Sequence, residues 1–182
     1  PKIVPKLAII GAGKMGEGII AGLLKSGVYS PKDIRAYEIL EDRCKYIAQT
    51  YRVECLDDVK KAAAFADICL IAVKPGDVAE VLEKIGPTMK TGKLLVSIAA
   101  GVPLDFYRKH LPEHVPVIRV MPNIAVSVRE SMITFCPSAN VTKEQLSAAT
   151  DMLSLLGRVI RLDERYLNLA TGMVGSGPAY IY

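Results

Sequence analysis

The chain has no tryptophan, only three phenylalanines and only two histidines. It also lacks any block of Lys and Arg and any interleaving of basic with aromatic residues. Its net charge of +4 is spread along the chain, which is not the footprint of a nucleic-acid-binding protein. The two histidines, His110 and His114, flank Pro112 in a polar connection between a predicted helix and a predicted strand. That is the N-terminal side of the strand, away from where ligand loops gather, so neither is a candidate acid or base. The four cysteines, Cys44, Cys55, Cys69 and Cys136, form no C-x-x-C pair and have no histidine at ligand spacing. A zinc site is therefore not expected. All four read as reduced thiols of a cytosolic protein, with Cys69 buried in an apolar run. No signal peptide is visible. The longest apolar runs, such as Ile68–Val73, are strand-sized and far short of a membrane span. A cytoplasmic protein without a membrane partner is expected.

What is present is a regular alternation. Strand-like runs fall at Leu7–Ile10, Ile34–Glu38, Ile68–Val73, Leu94–Ile98 and Val117–Val120. Helical stretches fall between them at Met15–Lys25, Glu41–Thr50, Asp58–Phe65, Asp77–Ile85 and Leu104–His110, with Gly, Pro, Asp and Ser at the joins. This pattern predicts an α/β fold of the Rossmann type: a doubly wound, mostly parallel sheet with helices on both faces. Met132–Cys136 reads as a further strand. Thr142–Leu156 reads as an amphipathic helix capped by Thr142 with Gln145 three residues on, and Val159–Leu162 as a last strand.

The strongest local signal is Gly11-Ala12-Gly13-Lys14-Met15-Gly16, a G-x-G-x-x-G that follows the apolar run Leu7–Ile10 directly and opens a helix. Gly11 permits the tight turn, Gly13 lets a pyrophosphate approach the backbone, and Gly16 lets the helix pack close to the sheet. The helix N-terminus offers free N–H groups and a positive dipole end to phosphates. Glu38 lies 22 positions after Gly16, close to the ~20 expected of the acid that reads an adenosine ribose. A carboxylate there accepts from both ribose hydroxyls and repels a 2′-phosphate. This favours NAD(H) over NADP(H), although Arg43 and Lys45 lie nearby and can soften the discrimination. The plainer reading of Glu38 is a solvated acid at a strand end.

Three further loops sit where ligand crevices form, at the carboxyl ends of predicted parallel strands. Ala72-Val73-Lys74-Pro75 combines a rigid turn with a cation; the alternative for Lys74 is a surface lysine beside that turn. Ala99-Ala100-Gly101 has side chains small enough for a nicotinamide to lie against backbone. Asn123, in Arg119-Val120-Met121-Pro122-Asn123, can donate and accept to a carboxamide or ribose, or can simply form a turn after Pro122. Asp163 and Glu164 are explained as acids in the first turn of a helix over 164–170. Near Asp163 the character of the chain changes. It stops at Tyr182 in what reads as the first turn of a new helix, so a truncated chain is expected. The domains expected are 1–162, binding dinucleotide, and 163–182, the start of a helical unit.

Taken in order, these motifs resemble the Δ1-pyrroline-5-carboxylate reductase family. The resemblance rests on Gly11–Gly16, Ala72–Pro75, Val96-Ser97-Ile98-Ala99-Ala100-Gly101-Val102, Arg119–Asn123, Thr171-Gly172 and Gly175-Ser176-Gly177-Pro178-Ala179-Tyr180. Ile124 and Ala125 depart from the Thr-Pro usual in the family, and Ser131 stands where glycine is common. Glu38 replaces a small or phosphate-tolerant residue, which again favours NAD(H). The resemblance implies a reductase that passes hydride from a reduced nicotinamide to the C5 imine carbon of pyrroline-5-carboxylate, giving L-proline. It implies a second, helical domain that builds a homodimer or higher oligomer and supplies most of the substrate pocket. Ser176 and Gly177 are the candidate substrate contacts, and no general acid can be named. The 182 residues alone are expected to bind cofactor without turnover. The competing readings are a related NAD(P)-dependent imine or hydroxyacid reductase, and a nucleotide-binding protein without catalysis.

Overall fold

The computed structural model describes residues 3–168. Its centre is an eight-stranded sheet made of β1 (Leu7–Ile10), β2 (Ile34–Tyr37), β3 (Glu54–Leu56), β4 (Ile68–Ile71), β5 (Leu94–Ser97), β6 (Val117–Met121), β7 (Ser131–Pro137) and β8 (Gly157–Arg161). The strand order is β3-β2-β1-β4-β5-β6-β7-β8. Neighbours are parallel through β6, β7 runs antiparallel to β6, and β8 is parallel to β7. The first six strands have the doubly wound order in which ligands lie beyond the carboxyl ends, where the order reverses between β1 and β4.

The helices are α1 (Lys14–Lys25), α2 (Glu41–Tyr51), α3 (Val59–Phe65), α4 (Val78–Ile85), α5 (Leu104–His110) and α6 (Lys143–Ser154). Their starts follow the sequence. Asp58 caps α3 by accepting from the Lys60 N–H at 2.9 Å. Thr142 and Gln145 form the reciprocal capping box at the head of α6.

Alternate residues of the buried strands feed two cores. Leu7 and Ile9 of β1 face Ile19, Ile20 and Leu23 of α1, Ile47 of α2 and Met152 and Leu153 of α6. Ala8 and Ile10 face Ala62 and Ala63 of α3, Val78 and Leu82 of α4 and Tyr107 of α5. All four β1 side chains are fully buried, which is why this strand reads as a continuous apolar run without alternation.

Two features depart from the sequence reading. β3 is a three-residue edge strand that pairs Arg35–Tyr37 with Glu54–Leu56; Glu54 is exposed and Cys55 and Leu56 are only partly buried, so it carries no apolar run. In addition, Cys44 of α2 and Cys55 of β3 are joined as a disulfide with Cα atoms 5.5 Å apart. The expectation of four reduced thiols is corrected for this pair, because the α2–β3 connection folds back and stacks the helix over the strand. Cys69 and Cys136 are free and buried. Burial pushes the Cys69 thiol up to about 12. No helix among the described residues is long and apolar enough to cross a membrane. None of their His, Cys, Asp and Glu side chains cluster in threes that could hold a metal ion.

Candidate dinucleotide site

The crevice begins at the β1–α1 turn. Gly11 has φ +102°, and a Cβ there would lie 2.8 Å from the Ala72 carbonyl and 2.9 Å from the Val73 nitrogen. Its glycine thus serves both the positive φ and the contact between the loops after β1 and β4. A Cβ on Gly16 would overlap the Gly11 carbonyl oxygen, so α1 sits directly under the turn. Gly13 is different: it is exposed, and a Cβ there would meet nothing within 4 Å. It is the N-cap of α1 and contributes no side-chain bond to the helix's free N–H groups. An open, side-chain-free helix N-terminus beside the switch point fits a pyrophosphate.

Glu38 follows β2 immediately, and its Oε2 accepts from the Ala12 N–H at 3.0 Å. The carboxylate is therefore at the glycine loop. The carbonyl of the same residue, Ala12, accepts from Arg43 Nε at 2.7 Å. Ile39 and Leu40 beside Glu38 are largely exposed. Leu40, Glu41, Asp42, Arg43 and Tyr46 line an open groove of about 530 Å³ at this end.

The remaining predicted residues lie along the same sheet edge. Lys74 is exposed and leads into a 3-10 turn, Pro75–Asp77. Ala99 is buried, whereas Ala100 and Gly101 are exposed, and Gly101 has φ +72°. The Ala99 N–H donates to Ser97 Oγ at 3.3 Å, and Ser97 is itself hydrogen-bonded to the Tyr107 hydroxyl. Asn123 heads a 3-10 helix, Ile124–Val128, with Oδ1 accepting from the Ala125 N–H at 3.0 Å. Its acceptor is thus committed locally, as in the turn-forming reading. Ser176 and Gly177 lie outside the described residues. His114 Nε2 bonds the Met89 carbonyl at 2.7 Å, three residues before β6 begins and at the edge opposite the crevice.

Several contributors were not foreseen. Ser131 Oγ accepts from the Asn123 N–H at 3.1 Å; because β7 is antiparallel, its first residue lies beside the end of β6. Gly18 and Gly22 let the Ile124–Val128 turn press against α1, since a Cβ at Gly22 would overlap the Val126 carbonyl oxygen. The signal was available in the i, i+4 spacing of two glycines inside a helix, where each costs about 1 kcal/mol of propensity. Arg119, 2% exposed, bonds Glu164 Oε1 at 3.3 Å and Asn168 Oδ1 at 3.0 Å. Glu164 Oε1 also accepts from the Leu104 N–H at 3.1 Å. Glu164 is thus more than a first-turn acid: it ties the helical residues 164–168 to β6 and to the head of α5.

These features can be set beside known proteins. A family profile described as NADP oxidoreductase, coenzyme F420-dependent, matches residues 6–101. A pyrroline-5-carboxylate reductase of Methanosarcina acetivorans is 37% identical over 177 residues, spanning 97% of this chain and 66% of that relative. Pyrroline-5-carboxylate reductase 2 of Bacillus subtilis is 34% identical over 178 residues, spanning 97% and 64%. The chain therefore spans a little under two thirds of the length of these curated relatives. Among solved structures, a pyrroline-5-carboxylate reductase of Coxiella burnetii matches with TM-score 0.91 at 29% identity, over 98% of this chain and 67% of that one. The pyrroline carboxylate reductase of Plasmodium falciparum, solved with NADP bound, matches with TM-score 0.87 at 25% identity, over 98% and 65%. The profile match alone covers more than half of the chain, and the protein belongs to the family of coenzyme F420-dependent NADP oxidoreductases.

Proposed function

We propose that this chain is the nicotinamide-dinucleotide-binding part of a pyrroline-5-carboxylate reductase, the NAD(P)H-dependent enzyme that reduces Δ1-pyrroline-5-carboxylate to L-proline in the last step of proline biosynthesis. The observation that carries the cofactor half is the open helix N-terminus at Gly13 with the Glu38 carboxylate bonded to the same loop. The substrate half is supported by the likeness along 97% of the chain to relatives named for that reaction.

When bound, a reduced nicotinamide dinucleotide supplies the hydride that the imine carbon C5 accepts, while the ring nitrogen keeps the proton that made it electrophilic. The chain's own residues bind and orient. Gly11, Ala12, Gly13, Lys14, Met15 and Gly16 offer backbone N–H groups and a cation to the pyrophosphate. Glu38 accepts from the adenosine ribose, so NADH is preferred to NADPH. Ala72, Val73, Lys74 and Pro75 wall the middle of the crevice. Ala99, Ala100 and Gly101 let the nicotinamide lie against backbone, and Asn123 Nδ2 donates at that end. Most of the work is positioning, worth several kcal/mol when the reacting atoms are held near contact.

The reading extends to the whole protein. Residues 1–162 form the dinucleotide domain and 163–182 begin a helical substrate and dimerisation domain, with Ser176 and Gly177 touching substrate. The enzyme is a cytoplasmic homodimer or higher oligomer. The test is NADH oxidation driven by Δ1-pyrroline-5-carboxylate in the full-length protein, beside the 182-residue chain. Turnover by the long form, with cofactor binding but no turnover by the short one, is expected. A long form that leaves this imine untouched would remove the substrate assignment.

A further inference from the structure

Arg43 is the third residue of α2 and the only cation among the residues lining the groove beside Glu38. In a groove meant for a 2′-phosphate it would be the natural reader, because a guanidinium grips oxyanions with paired N–H groups. Its side chain points elsewhere. Nε donates to the Ala12 carbonyl at 2.7 Å, and Nη2 is paired with Glu17 Oε2. Glu17 lies on α1, one residue after the last glycine of the loop. Its other oxygen accepts from the Tyr51 hydroxyl at 2.7 Å and the Tyr46 hydroxyl at 3.0 Å. Tyr46 also lies against the guanidinium, with Arg43 Cζ 5.2 Å from the ring centroid. Partial burial works against the Glu17 charge, but the bonds from Tyr51, Arg43 and Tyr46 outweigh it and keep the carboxyl below its ordinary range.

We infer that Glu17 is a specificity-determining positioning residue: by holding Arg43 against the glycine loop, it withholds that cation from a 2′-phosphate and leaves the groove selective for an unphosphorylated adenosine ribose. The inference rests on Glu38 being the ribose acceptor. The local charges agree with it. Arg43 is neutralised by Glu17, and the nearby Lys45 is paired with Glu41 at 2.8 Å. Among the described residues Glu38 and Asp42 form no ion pair near the groove, and both carboxylates repel a phosphate. Arg43 and Glu17 side chains are 28% and 19% exposed, dry enough for the pair to hold against solvent and close enough to the surface for Arg43 to swing out once released.

The experiment is titration of the 182-residue chain with NADH and with NADPH, as wild type, Glu17→Gln, Tyr46→Phe/Tyr51→Phe, Glu38→Ala and Glu17→Gln/Arg43→Gln. Glu17→Gln should tighten NADPH about tenfold, the scale of one charge-assisted contact, and change NADH by less than about threefold. The gain should vanish in the double variant, because Arg43 carries it. The tyrosine pair should move the ratio in the same direction by a smaller factor, which covers the case in which Glu17→Gln does not fold. If Glu38→Ala raises NADPH affinity but neither Glu17→Gln nor the tyrosine pair moves the ratio, the inference about Glu17 is overturned while Glu38 stands. Equal weakening of both cofactors by Glu17→Gln makes Glu17 a structural strut only and also overturns it. A wild-type chain that already prefers NADPH removes the Glu38 reading and this one with it.

Discussion

Replacing Gly22 of α1 with alanine separates two opposed expectations. On propensity alone, Gly→Ala in a helix interior gains about 1 kcal/mol. The packing reverses the sign. An added Cβ would overlap the Val126 carbonyl oxygen and lie 2.7 Å from Leu156 Cδ2, against an ordinary carbon–carbon contact of about 3.5–4.0 Å. Leu156 can rotate by the needed ångström, but Val126 cannot. The blocked atom is backbone, the residue is fully buried, and the same carbonyl accepts from the Arg129 N–H at 3.1 Å. Overpacking of this kind costs about 1–3 kcal/mol, and losing the turn's hydrogen bond about 1 more. After the propensity gain, a net destabilisation of about 2 kcal/mol remains. For a chain of this size that lowers Tm by about 4–8 °C. Thermal unfolding followed by circular dichroism measures it. Because the displaced turn follows Asn123, dinucleotide affinity should fall as well. Gly18→Ala is the internal comparison: its nearest neighbour is a methyl, Val126 Cγ2 at 3.1 Å, which can turn aside, so its Tm should move by less than half as much. A Gly22→Ala variant that melts at or above wild type would refute the close seating of the Ile124–Val128 turn on α1.

Other outcomes follow from the same geometry. Native, non-reduced protein should show no rapidly alkylated thiol at pH 8, because Cys69 and Cys136 are buried; denaturation should expose two, and reduction all four. Reducing the Cys44–Cys55 bond, which spans 11 positions, should cost up to about 3 kcal/mol in a denaturant titration, and no change would mean that the bond does not form. Ser131→Ala removes the acceptor for the Asn123 N–H and should cost about 1 kcal/mol, visible in urea unfolding together with weaker NADH binding. The Glu17 carboxyl is held below its ordinary value of 4.5. Its contribution to stability is therefore complete above that value and disappears as pH falls through the lowered one. The stability gap between wild type and Glu17→Gln should be constant near neutrality and should close in acid; a gap that widens in acid would contradict the assignment.

Much of the architecture was legible because the central strands are buried on both faces. β1 and β4 have no exposed side chain, so Leu7–Ile10 and Ile68–Ile71 stand out as apolar runs between helical stretches. The glycine loop was legible for a related reason: Gly11 and Gly16 answer to steric demands a few residues away, which fixed spacing records. What the sequence did not disclose depends on distant partners. β3 is short and half exposed, so it has no pattern. Cys44 and Cys55 meet only because a helix folds back over an edge strand, and their spacing matches no motif. Asn123 follows β6, as its spacing implies, but its side-chain oxygen is used in a cap that composition does not announce. Glu164 looks like any acid at a helix start until Arg119, 45 positions earlier, is found beneath it.

That last pair bears on how the molecule assembles. A guanidinium sealed in the middle of a strand cannot lose its water without a counter-charge, since an unpaired buried ion costs several kcal/mol. Arg119 leaves the ribosome long before Glu164. While residue 164 is still being made, β6 can pair with β5 only by keeping Arg119 wet, which holds the α5 side of the sheet open. Synthesis is vectorial and N-terminal segments organise first, so β1 to β5 can close early, whereas the β6–β8 half waits for the helix at 164–168 to bring its carboxylate. The late carboxylate makes closure of the far half of the sheet report that synthesis has passed residue 164, and nascent chains released before that residue should remain sensitive to protease on that side alone.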